Sequence, residues 1–394
     1  MHISFSRRPW RAASALVLAA AALVVPAAGA APASAQDVTT ITSNLSYEDS
    51  NKTGPIKFSK VEVWRFAPRT FGIWTWANER TVFTDDKGRI NTSFPFVKDA
   101  IFALRVFATN SAAQVWPNDF LHAQPFWAEP GHGSQPVHLT STRPNTQLTF
   151  NWHFADDWTP QHFNIAETIR LGRDYAAANR GDSDPLPRAD VQPTSVTGSY
   201  YNPVNSTVVI NSGNAFTDFA ILHEYTHFLQ DKIGSFPWLP AAHDGCITED
   251  VFHNPVNTAD HSWMEAFADW FPHAVSRAFR GEHLEGNVNA AGEGTFDEAR
   301  LEKGNCGPLP ASVTGDEVEL FLAASLWDLT DDDTNVEPWD RFAARDRSIF
   351  QIFDKELDAA AGVGNPTIMT FRKAWNDRGL GSSLDTVLHA DHVL

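Results

Sequence analysis

The sequence predicts an α+β protein, with a β-sandwich-like module over residues 36–155 followed by a mainly helical domain over residues 156–394. Three observations carry this reading. Phe58-Ser59-Lys60-Val61-Glu62-Val63-Trp64-Arg65-Phe66 alternates apolar and polar residues at period two, the mark of a half-buried strand. After Pro160 the apolar residues recur at helical spacing, first over 163–179. Residues 1–35 stand apart, with Arg7, Arg8 and Arg11, no acid, an apolar run from Ala12 to Val25, and Ala33-Ser34-Ala35 as a small-residue cleavage site. Such a segment reads as a secretory signal peptide too short to span a bilayer.

The elements follow in order. Strands are expected at 58–66, 80–84, 89–96, 100–109 and 147–154, with Asp85-Asp86-Lys87-Gly88 as a tight turn between two of them. A helix over 163–179 ends at Gly181, and a Pro- and Asp-rich loop covers 181–193. A short strand at 207–211 precedes a long helix at 214–232, in which no glycine or proline interrupts Ala215 to Ile233. Helices are also expected at 262–280, with Pro272 as a kink, and at 315–329, 341–360 and 366–378. Neither internal repeats nor a second low-complexity tract is present.

Composition narrows the function. The 394 residues carry a formal charge of −18, and loss of the three leader arginines takes the remaining 359 to −21. Such a surface repels phosphates, so no nucleic-acid partner is expected, and no membrane association is expected once the leader is cut. The protein is expected to be secreted through the Sec route, or through the Tat route if Arg7-Arg8 serves as a twin-arginine signal. Cys246 and Cys306 are the only cysteines. In an oxidising compartment an even pair reads as one disulfide. It would close a 60-residue loop and stabilise by roughly 4 kcal/mol. Two free buried thiols are the alternative.

The chemical signal is His223-Glu224-Tyr225-Thr226-His227. On a helix, positions i and i+4 share a face, so both imidazoles can meet one metal ion. Glu224 sits where its carboxylate reaches a metal-bound water. The alternative is two surface histidines on an amphipathic helix, and a third ligand decides between them. The pattern needing Gly and His three and six residues after the second His fails, because Gln230 and Ile233 stand there. Trp263-Met264-Glu265-Ala266-Phe267-Ala268-Asp269-Trp270 instead supplies a Glu 38 residues past His227, with an Asp four residues on. Aromatic residues hem in that pair, which does not suit an ordinary solvated face.

At these residues the chain resembles the gluzincin zinc metallopeptidases, the thermolysin-like group in the wide sense, over roughly residues 160–330. The resemblance implies Zn2+ held by His223, His227 and Glu265, Glu224 as general base, and Asp269 as a carboxylate orienting a ligating histidine. It implies a secreted peptidase, an endopeptidase by expectation, acting on a protein or peptide substrate. Such enzymes use a His or Tyr to stabilise the oxyanion; Tyr201 and His261 are candidates by residue type. The strand at 207–211 would be an edge that pairs with extended substrate, or else a core strand. The stretch around Thr84-Asp85-Asp86-Lys87-Gly88-Arg89 resembles the small β-sandwich modules of carboxypeptidase-regulatory or transthyretin-like type.

Three further readings stay open. Ser325-Leu326-Trp327-Asp328-Leu329 with Asp331-Asp332-Asp333 resembles a stretch of secreted bacterial metallopeptidases; its acids could take Ca2+, although a solvated loop is the commoner outcome. Trp74 and Trp76 are expected to be buried packing rather than a carbohydrate or substrate platform. The rival functions are a zinc hydrolase on a non-protein or glycoprotein substrate, and a non-catalytic secreted binding protein with a vestigial metal site. The sequence leaves the oligomeric state open.

Overall fold

The computed structural model describes residues 36–49, 52–117, 124–132, 135–180, 184–195, 198–235, 241–243, 248–250, 258–280, 282, 284, 306, 313–331, 344–358 and 365–394. The leader, Cys246, and the acids Asp332 and Asp333 lie outside them.

The chain is α+β, sheets first and helices after. In order, its strands are β1 (Val38–Asp49), β2 (Lys52–Pro55), β3 (Lys60–Pro68), β4 (Trp74–Phe83), β5 (Asn91–Pro95), β6 (Ala100–Phe107), β7 (Ala113–Val115), β8 (Trp127–Ala128), β9 (Gly131–His132), β10 (Gln135–Pro136), β11 (Leu139–Ser141) and β12 (Thr146–Phe154). Helix α1 (Thr159–Arg180) leads to β13 (Ala189–Thr194), β14 (Tyr200–Asn202), β15 (Thr207–Asn211) and α2 (Asp218–Ile233). A hairpin of β16 (Ala241–His243) and β17 (Thr248–Asp250) precedes α3 (Ala259–Ala278), α4 (Glu319–Asp328), α5 (Asp346–Lys355), α6 (Ile368–Asp377) and α7 (Ser383–Ala390).

Alternation builds the first sheets. β1 buries Ile41, Leu45 and Tyr47 on one face and pairs in parallel with β12 and antiparallel with β2 and β5. A second sheet runs β11-β6-β3-β4, with β8 on β6. The two meet in a common core, where Phe94 of β5 and Phe102 of β6 lie 5.7 Å apart. The expected turn forms: Asp85 Oδ1 accepts the Lys87 and Arg89 amides. Gly88 closes it at φ +71°, where a Cβ would sit 2.1 Å from the Leu45 carbonyl oxygen.

A third sheet, β14-β15-β13-β7, carries the helices. It draws β7 from the N-terminal half, parallel to β13, and Asn110 Nδ2 donates to the Ala166 carbonyl of α1. The halves share one continuous core.

The structure refines the expected elements. Residues 189–194, assigned partly to a loop, form β13, with Ala189 and Val191 fully buried. Pro193 is tolerated because β7 pairs only with Ala189–Val191, so no second ladder needs its missing N–H. The strand expected at 80–84 begins at Trp74 instead, continuing the hairpin from β3. Of the two readings of the strand at 207–211, the core strand holds, since β13 and β14 flank β15 on both sides. The last helix, α7, lies beyond any expected element. Helix α3 runs on through Pro272 to Ala278.

Candidate metal centre

Two helix contacts place α2. Asp218 in its first turn favours the positive end of the helix dipole. Its fully buried Oδ1 accepts from Asn164 Nδ2 at 3.0 Å and Thr168 Oγ1 at 2.6 Å, which ties α2 to α1. Along the crossing, Gly172 of α1 admits Leu222 and Tyr225; a Cβ there would stand 2.7 Å from Leu222 Cδ2. With its apolar face fixed on α1, α2 turns His223 and His227 toward α3, where Glu265 faces them from among buried Trp263, Met264 and Phe267.

The three side chains converge. His223 Nε2 and His227 Nε2 are 3.2 Å apart, and Glu265 Oε2 lies 3.3 and 3.2 Å from them. Tetrahedral zinc with bonds of about 2.0–2.1 Å holds its donors roughly 3.3–3.4 Å apart, so this triangle is the base of such a site. All three residues are buried, and they form the one group of His, Cys, Asp or Glu among the described residues able to hold a metal ion.

Hydrogen bonding behind the ligands settles their tautomers. His223 Nδ1 lies 3.0 Å from Asp269 Oδ1. A carboxylate only accepts, so Nδ1 carries the proton. His227 Nδ1 lies 2.8 Å from Gln230 Oε1, and Gln230 Nε2 donates to the Met264 carbonyl at 2.8 Å. That second bond fixes the amide orientation, so His227 Nδ1 also donates. Each neutral ring therefore presents an unprotonated Nε2 toward the Glu265 carboxylate, a donor set that suits a cation. In the metal-free protein a proton serves. Burial pushes the His223 imidazole down, but hydrogen bonds to Asp269 and Glu265 outweigh it and hold the pKa well above the ordinary value.

Glu224 follows His223 on the helix, only 9% exposed, and its charge adds to that upward pull. His261 lies one turn ahead of Glu265 on α3, buried, with Nδ1 2.5 Å from Thr258 Oγ1. Tyr201 of β14 donates its hydroxyl to Asp231, one turn past His227, at 2.6 Å. Cys306 packs half-buried on the helical core, whereas Cys246 and most of the acidic run proposed for Ca2+ lie outside the described residues. Gln230 is the site residue that sequence reasoning missed. It entered only as the residue that breaks a glycine pattern, although its place three positions after a ligating histidine puts it beside that ring.

A helix bearing His-Glu-x-x-His, crossed by a second helix that brings a third donor, defines the site as a candidate metal centre. The chain belongs to the family described as Mycolysin C-terminal domain, whose model matches residues 185–394, more than half of its length. An uncharacterized protein of Archaeoglobus fulgidus is 28% identical over 202 residues, which are 50% of this chain and 53% of that one. The chain thus spans about half the length of that relative. Among solved structures, a 9R-lipoxygenase from Cyanothece is similar at 15% identity over 36% of this chain and 24% of the other, with a TM-score of 0.18, too slight a likeness to bear on the fold.

Proposed function

We propose that the protein is a secreted zinc-dependent endopeptidase of the gluzincin type. The donor triangle of His223, His227 and Glu265 at 3.2–3.3 Å, with both histidine tautomers fixed from behind, carries this reading. His223, His227 and Glu265 would hold the zinc, which would supply Lewis acidity for the scissile carbonyl and for activating a water. Glu224 takes the proton of the attacking water and passes it to the departing amine. Asp269 and Gln230 keep the imidazoles turned inward. For the oxyanion we favour His261 over Tyr201, because His261, Glu265 and Asp269 repeat at i, i+4 and i+8 along one helix face, whereas the Tyr201 hydroxyl is engaged by Asp231.

β14, the outermost strand of its sheet, is the place for an extended substrate to add. The module at residues 36–155 lends β7 to that sheet, so we take it as a working part of the enzyme joined to a catalytic domain at 156–394. A Cys246–Cys306 disulfide would brace the segments on either side of α3, and residues 1–35 would direct export.

The test is casein cleavage by the purified mature protein beside its Glu224→Gln variant, with zinc content measured for both. Cleavage by the wild type, a loss of at least about 100-fold in the variant and one zinc in each support the reading. Zinc in neither protein overturns the ligand assignment. Equal cleavage by both removes Glu224 as the base.

A further inference from the structure

Trp74 and Trp76 of the β module were expected as buried packing, and the structure leaves both partly exposed. On β3 and β6, Val61, Val63, Phe102, Leu104 and Val106 face inward and are buried. The alternate residues take the other face, and pairing brings Trp64 beside Ala103 and Phe66 beside Trp76. Trp74 and Trp76, expected as packing, are each 39% exposed; both lean on the Phe66 ring at 5.5 Å. Beyond them the hairpin tip turns through Phe71, at φ 61° and 96% exposed. The segment that carries Glu129 and His138 borders this face, with the His138 ring against Trp76, and leaves Trp74 and Trp76 partly exposed. An apolar patch of that extent on an exported protein marks an interaction site.

Its centre is a recess of 250 Å³ lined by Trp64, Trp76, Ala103, Arg105, Glu129 and His138. The Arg105 guanidinium lies 4.3 Å from the rings of both Trp64 and Trp127, and its Nε donates to Glu129 at 3.3 Å. Its two terminal nitrogens have no protein partner among the described residues. Nor has the His138 ring, which packs on Trp76 at 5.1 Å. The recess thus offers flat ring faces with donors and an acceptor at its edge, held rigid by stacking.

We propose that this face binds a neutral glycan, seating one pyranose in the recess and continuing along the Trp76, Phe66 and Trp74 rings. A pyranose pairs an apolar C–H face with a rim of hydroxyls, the complement of a tryptophan face edged by Arg105, Glu129 and His138. Charge argues for a neutral ligand, because Arg105 and Glu129 cancel within the recess while the chain as a whole is at −18. Burial under a protein or in a lipid surface would strip water from the carboxylates of Glu129 and Glu62, groups that interface cores exclude. Successive rings on β4 lie two residues apart, about 6.6–6.8 Å along the strand, so an extended chain crosses several of them.

The experiment uses the full mature protein in sedimentation with insoluble cellulose and chitin, and in affinity gels containing xylan or mannan. Phosphatidylglycerol vesicles serve as the lipid probe. We expect retention by at least one polysaccharide and a loss of about tenfold or more in affinity for Trp76→Ala and His138→Ala. Both variants should keep the wild-type circular dichroism and casein cleavage. Retention by none of the four polysaccharides overturns the proposal. So does retention that neither variant weakens, or vesicle binding that the two variants abolish in place of glycan binding.

Discussion

Two buried histidine environments, about sixty residues apart in the chain, are opposite in chemistry. At the crossing of α2 and α3, His223 and His227 are each held by an acceptor behind the ring and face a carboxylate. At the junction of α1 with the β half, His162 is fully buried and stacked on Phe126 at 3.7 Å, its Nδ1 3.0 Å from the Trp158 carbonyl. Its Nε2 has no hydrogen-bond partner among the described residues. Burial there drives the pKa down to about 4, whereas at the crossing carboxylates hold the His223 value up. Burial alone therefore makes a histidine an aromatic core residue; acceptors behind the ring and a carboxylate ahead of it suit it to holding a cation.

Breaking the first environment should have the largest effect. Glu265→Ala removes the carboxylate that lies 3.2–3.3 Å from both Nε2 atoms. Zinc affinity, read by competition with a chelator, should fall by more than about 100-fold, since even groups behind a ligand cost 10–100-fold when removed. Casein cleavage should go with it. A variant that keeps stoichiometric zinc at wild-type affinity would remove Glu265 from the ligand set.

The second environment should register in stability rather than in metal. Above pH 6.5 neither the folded nor the unfolded His162 binds a proton. Below 6.5 the unfolded chain takes one and the folded chain does not until about pH 4. Stability should thus fall as pH drops through that window, by about 3 kcal/mol from this residue, and level off below it. In urea titrations from pH 7 to 4, His162→Phe should flatten the dependence by that amount. An unchanged slope would mean that His162 protonates freely in the folded protein.

Gln230→Leu sharpens the contrast from the other side. It leaves the three ligands in place but removes the acceptor that fixes the His227 tautomer and the amide that binds the Met264 carbonyl. Zinc affinity should weaken by about 10–100-fold, with less effect on thermal stability than on metal binding. If affinity holds, His227 needs no orienting partner.

The same contrast explains what was legible in the sequence. His223, His227, Glu265 and Asp269 could be read because helical spacing of four residues translates directly into a shared face. Gln230 could not, because its role depends on Met264 supplying a carbonyl from another helix, a tertiary fact. The alternation of β3 and the turn at Asp85–Gly88 were likewise local signals. β13 hid behind Pro193, whose tolerance depends on how far β7 runs beside it. Trp74 and Trp76 misled in the opposite sense: large apolar residues default to the core, and nothing local says that a sheet face leaves them partly exposed.

The smallest expected effect lies between the two histidine environments, on α2 itself. Tyr225 is fully buried, its ring stacked with Phe228 at 5.7 Å, and its hydroxyl has no hydrogen-bond partner among the described residues. The hydroxyl is buried without a hydrogen bond among the described residues, and burial pushes its pKa upward. Tyr225→Phe should therefore be neutral or stabilise by up to about 1 kcal/mol in chemical denaturation, while zinc content and cleavage stay at wild-type levels. A loss of more than about 1 kcal/mol would show that the hydroxyl is satisfied, most directly by a buried water. That outcome would extend the polar network of the metal centre to the face of α2 that packs on α1.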